Sequence, residues 1–212
     1  MAPAPAHQHR AWGEPSPGPI VRLVARARRL LGDRSPAAPT RLRELPLALR
    51  RGDEAARYLA AEADGDHRRA GAAATTAMER SIADGEWWAA DIWAHRGLWH
   101  FEQAGMALQA TRQARRIGDL RSAAGDAASA RRYYAEAIDE ARDIGAEHEQ
   151  GLAALGLGRA LLELGDVTTA RRLAGAAETL LERTGAPELE VEAARRLRGD
   201  ELAVGESTED GT

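Results

Sequence analysis

Residues 145–185 read GAEHEQGLAALGLGRALLELGDVTTARRLAGAAETLLERTG, and this stretch decides the fold. It opens, divides and closes on glycine, at Gly145, Gly165 and Gly185. Glycine accepts the left-handed backbone with which many helices end, so evenly placed glycines mark helix stops. Each interval reads as one helix of about 18 residues, roughly 27 Å long at the α-helical rise. Outward from this stretch the interval holds without a slip. Gly65, Gly85, Gly105, Gly125 and Gly205 extend the same twenty-residue spacing in both directions.

Alternate glycines differ in the residue after them. Gly85-Glu86, Gly125-Asp126 and Gly165-Asp166 put an acid at the start of the next helix, where exposed amides and the helix dipole favour it. Met106, Ala146 and Ala186 come after the other three. The repeating unit is therefore a pair of helices, forty residues long. Small residues keep the same period: Ala90, Ala130 and Ala170 lie four residues past each acid, and Gly97, Ala137 and Ala177 seven further on. Gly118 and Gly158, beside Ile117 and Leu157, stand seven residues before their turn glycines. Small side chains at fixed offsets let two antiparallel helices approach closely while larger ones close over the gap.

Composition agrees. The 212 residues include 47 Ala against 11 Val plus Ile, and aromatics are only 4%, which favours helix over sheet. Cys is absent, so disulfides, thiolate metal sites and cysteine nucleophiles are excluded. No apolar run is long enough for a membrane span and no apolar signal core opens the chain, so a cytoplasmic location is expected. All 29 basic residues are Arg, and Asn is also missing, a bias that a GC-rich genome produces.

On these residues the chain resembles the tetratricopeptide repeat family, whose motif has a Leu-Gly pair in its first helix, a Gly-Asp turn, and two Ala seven apart in its second. Residues 150–185 carry it as Leu157-Gly158, Gly165-Asp166, Ala170 and Ala177. Residues 110–145 carry Ile117-Gly118, Gly125-Asp126, Ala130, Tyr134 and Ala137. Residues 70–105 match in part, with Met78 and Glu86 replacing the first glycine and the aspartate. The forty-residue period looks like the long-helix variant of bacterial regulators and signalling ATPases. The resemblance covers residues 66–204 and implies an all-α, right-handed α-solenoid of helical hairpins, about three units plus capping helices. It implies a concave binding face, and no catalysis or cofactor.

Charge and proline organise the rest. Residues 1–19, with five prolines, read as a disordered arm. Residues 20–51 form a basic helical segment. Its helix over 20–31 sets Ile20, Leu23, Val24 and Leu31 opposite Arg22, Arg26 and Arg29. With ten Arg against three acids, residues 1–51 carry +7, while the remainder carries −11. Three roles stand for the segment: packing on the acidic repeats, contacting nucleic acid, or touching an anionic surface. Segments near 40–50 and 53–64 form a degenerate leading repeat. The repeat domain spans 52–204, in units 66–105, 106–145 and 146–185 and a closing helix near 187–203; residues 205–212 form an acidic mobile tail.

Two regions could bind something. The resemblance places groove positions at Arg112, Arg115 and Asp119 in the middle unit, and at Leu152, Leu155, Arg159 and Leu162 in the last. An amphipathic or extended segment with apolar anchors and acidic flanks would suit them, Arg pairing with carboxylates. The same Arg could instead be solvated or paired with acids nearby. The family's clamp for C-terminal carboxylates uses Asn, which this chain lacks. The second region is the aromatic run Trp87, Trp88, Trp93, Trp99 and Phe101. It reads either as core packed beneath the N-terminal helices or as a partner surface, with Trp87 and Trp88 the surface candidates. His95 and His100, five apart, do not share a metal-facing helix edge, and Gly156-x-Gly158 follows no strand, so neither a metal nor a dinucleotide site is expected. The reading is a non-catalytic protein-interaction scaffold binding a partner peptide or helix, with a homo-oligomer left open. The alternative is a transcriptional regulator whose basic segment contacts nucleic acid while the repeats sense or dimerise.

Overall fold

The computed structural model describes Leu49 and residues 52–199. Those residues form helices α1 (Asp53–Ala63), α2 (His67–Ala83), α3 (Trp87–Gln103), α4 (Ala107–Ala123), α5 (Ala127–Asp143), α6 (Glu147–Glu163), α7 (Val167–Arg183) and α8 (Glu188–Arg198), with no strand among them. The six central helices are each 17 residues long and start twenty residues apart. The arm 1–19, the basic segment with Arg22, Arg26 and Arg29, most of the 40–50 segment and the tail 205–212 lie outside the described residues.

One turn is used throughout. At Gly65 the amide bonds Glu62 O at 3.1 Å and the next amide, of Asp66, bonds Ala61 O at 2.9 Å, the paired bonds of a Schellman turn. Gly85, Gly105, Gly125, Gly145, Gly165 and Gly185 repeat it, all with φ between 65° and 85°. The residue after each glycine also begins the next helix or its approach, which makes the connection short and the neighbours hairpins. Asp66, Asp126 and Asp166 cap α2, α5 and α7 by accepting from the amides of Arg69, Ser129 and Thr169. Glu86 makes no side-chain cap, its side chain being one methylene longer than the preferred residue. Acid capping thus departs from the forty-residue period that the small residues keep.

Each helix packs on the ones before and after it, and α6 also touches α4 and α8. Arg116 reaches Glu79 at 3.4 Å, joining α4 to α2. The even-numbered helices therefore form one layer. In the other, His95 Nε2 and the Tyr133 hydroxyl lie 3.0 Å apart and join α3 to α5.

The contacts between layers track the small residues. Ala90, Ala130, Ala137, Ala170 and Ala177 are completely buried. A Cβ on Gly71 would stand 2.8 Å from the Phe101 ring, and one on Gly118 equally close to Tyr134. Here a large residue of one helix lies against bare backbone of the helix before it. Of the closing helix the described residues show Glu188–Arg198. Gly199, at φ 96°, takes the left-handed conformation and ends it.

Candidate functional site

Two recesses open along the even-numbered helices. A recess of about 470 Å³ between α4 and α6 is lined by Arg115, Asp119, Leu152, Leu155 and Arg159, five of the seven groove residues expected from sequence. Its remaining wall includes Tyr134 of α5 and Gly156. A second recess, about 430 Å³, continues from Arg159 past Leu162 to α7 and α8. Arg159 lines both, so the two form one run along α4, α6 and α8. Arg112 lines neither.

In the first recess Arg115 and Asp119 are already engaged. Glu149, only 5% exposed, accepts from Arg112 Nε at 2.8 Å and Arg115 Nε at 3.1 Å. Arg115 Nη1 donates to Asp119 Oδ2 at 3.0 Å, and the Tyr134 hydroxyl donates to Asp119 Oδ1 at 2.8 Å. Burial, and then the Asp119 charge beside it, pushes the Tyr134 phenol far above its ordinary range. An incoming carboxylate that used Arg112 or Arg115 would have to displace a buried one, which is costly. Leu155 is 4% exposed and belongs to the core as much as to the recess wall. Leu162, at 46%, is the exposed apolar member.

Gly156-x-Gly158, which resembles half a nucleotide motif, has a packing role. A Cβ on Gly156 would fall on the Tyr134 ring, 2.6 Å from Cζ, and one on Gly158 would meet Leu197 at 2.8 Å. The first glycine accommodates the ring in the recess wall; the second admits α8.

The aromatic run divides by burial. Trp93 (3% exposed) and Phe101 (5%) are core, with Trp93 edge-on to Tyr58 of α1 at 5.1 Å between centroids. Trp99 is half-buried, edge-on to His67 and His100. Trp87 and Trp88 are 52% and 51% exposed. The core reading thus holds for Trp93 and Phe101, while Trp87 and Trp88 lie on the surface.

Sequence reasoning missed a polar network in this same region. The Tyr58 hydroxyl donates to Glu62 Oε1 at 3.1 Å and receives Arg96 Nη1 at 3.0 Å. Its single proton being used, His100 Nε2–H must be the donor across the 3.0 Å to the phenol oxygen. The bare Nδ1 of His100 then accepts from His67 Nδ1–H, also at 3.0 Å. Burial foremost, then the neighbouring His67 and Arg96, lowers His100 to about 4, and burial raises Tyr58 to about 12. The residues come from α1, α2 and α3, separated by up to 42 positions, so no local motif announces them. A second buried group lies between α3 and α5, where burial foremost, with repulsion from nearby carboxylates, raises Glu102 and Glu140 to about 7.

Among the described residues no group of three or more His, Asp or Glu is arranged to hold a metal ion, and no helix is long and apolar enough to cross a membrane. No protein-family model matches the sequence, and no curated protein matches it.

Proposed function

We propose that the chain is a tetratricopeptide-type interaction module, a right-handed helical stack that holds a polypeptide segment of a partner along α4, α6 and α8 without chemical change to it. One observation carries this reading: two adjoining recesses, sharing Arg159, lie along α4, α6 and α8 and contain six of the seven groove positions inferred from the motif. Leu162 is an exposed large apolar side chain on that run, where such a residue serves as a contact for a partner's side chains.

The reading is tested by placing a photo-crosslinking amino acid at Leu152 or Leu162, and at Arg131 on α5 as a control. Partner crosslinks from 152 and 162 but not from 131 are expected. Equal yield from all three positions refutes the groove. Leu162→Glu should abolish capture while leaving the helical circular dichroism unchanged, because the side chain replaced is already half in solvent.

A further inference from the structure

Resting on that reading, we propose that the recess at the α6–α8 end is the specificity pocket of the groove, taking an acidic partner segment that carries an aliphatic side chain between its carboxylates. The two recesses differ in electrostatics. In the first, Arg115 is satisfied by Glu149 and Asp119. In the second, Arg159 of α6, Arg171 of α7 and Arg196 of α8 contribute to the lining, and no carboxylate does. Among the described residues Arg159 and Arg171 form no ion pair, whereas Arg112, Arg121, Arg183, Arg195 and Arg198 all do. Arg196 is held to Glu192 at 3.4 Å. Arg159 and Arg171 therefore line a recess whose wall has no carboxylate to pair with them.

Between them the recess is apolar. Leu162 and Val167 are 46% and 41% exposed, and Leu197 and Ala193 supply the α8 side. The Arg171 guanidinium lies against the end of α8, with Nε 3.6 Å from where a Cβ on Gly199 would stand. Guanidinium forks that share a lining with leucine side chains suit a segment carrying both carboxylates and an aliphatic group. Charge complementarity thus selects an acidic chain, and the apolar floor selects a peptide over a polyphosphate backbone, which has no aliphatic group to bury.

The test uses a phage-displayed library of random peptides selected on the full-length protein. Enriched sequences should place Asp or Glu on both sides of Leu or Ile. A recovered peptide should lose roughly tenfold in affinity for each of Arg159→Glu and Arg171→Glu, about one step of the affinity scale per reversed charge. Arg131→Glu, on α5, should leave binding within twofold, and thermal melts establish that every variant is folded. Acidic peptides indifferent to Arg159 and Arg171 overturn the proposal. Uncharged peptides that still require Leu162 overturn the acidic pocket while leaving the groove standing. If nothing is enriched, or only an oligonucleotide binds in an Arg159-dependent way, both readings fall.

Discussion

The α1–α3 end and the α6–α8 end of the stack are built from the same hairpin but filled differently. At the first, Tyr58, Trp93, Phe101 and His100 are large side chains buried to 5% exposure or less; the Tyr58 phenol ties α1 to α3, and His100 ties α3 to His67 of α2. At the second, the core is Ala154, Leu155, Ala177, Leu181, Val191 and Ala194, with glycines where α6 meets its neighbours. A core of large rings and shared protons fills its volume and presents buried tryptophan at the centre. A core of small aliphatics brings backbones close and leaves leucine and arginine on the surface between helices. The first end is tied by polar bonds between its helices; the second keeps apolar and cationic side chains exposed.

That contrast can be broken most severely at Trp93. Trp93→Ala should cost about 3–5 kcal/mol in a urea melt, the range for emptying a large buried aromatic site. A loss under 1 kcal/mol would show that the aromatic end is not a close-packed core.

Acid should act next most strongly, and on the same end. Unfolded, the His100 imidazole takes a proton near pH 6.5; folded, only near 4. Above 6.5 its contribution is fully present, and it is lost as pH falls toward 4, by about 3 kcal/mol in all. Burial is the main cause, and after it the His67 contact, where a second proton would set two Nδ1–H groups against each other. Glu102 and Glu140 act with the opposite sign. Folded near 7 and unfolded near 4.5, they favour the fold at low pH and withdraw that contribution as pH rises through 7. The measurement is therefore the stability difference between wild type and His100→Gln from neutral pH to about 4. It should shrink as pH falls; a constant difference means the imidazole does not titrate differently in the fold.

At the other end the glycines sharpen the comparison. Gly156→Val should cost about 1–3 kcal/mol through overpacking against Tyr134, whose ring is confined by Gly118 on α4 and by its bond to Asp119. Gly175→Ala, whose Cβ would meet Arg198 Cδ at an ordinary 3.6 Å, should instead gain about 0.5–1 kcal/mol by helix propensity. If both changes act alike, close approach is not what these glycines provide. The smallest effect is expected at Trp87 and Trp88. Either changed to Ala should shift stability by less than about 0.5 kcal/mol in a thermal melt, as at other exposed positions.

Much of this is legible in the residues alone. The glycine interval locates seven turns because a residue at positive φ is a local demand, written at one position, and the six 17-residue helices fall between those glycines. Ala and Gly at fixed offsets likewise mark the buried contact faces. Less visible is the fate of charges. Arg112 and Arg115 occupy motif positions for a groove, yet whether they face a ligand or Glu149 depends on a helix 34 and 37 residues away. Tyr134 fits the motif, but its place in the recess wall needs two glycines from two other helices.

By itself, then, the order of residues determined helix lengths, turn positions and which faces carry small side chains, because each arises from backbone preference within a few residues. Tertiary structure alone decided which arginines are spent and which remain open, which tryptophans are core, and that Tyr58, His67 and His100 share protons. Those outcomes depend on distances between side chains far apart in the chain, and Coulomb and hydrogen-bond energies are fixed by such distances rather than by spacing along the backbone.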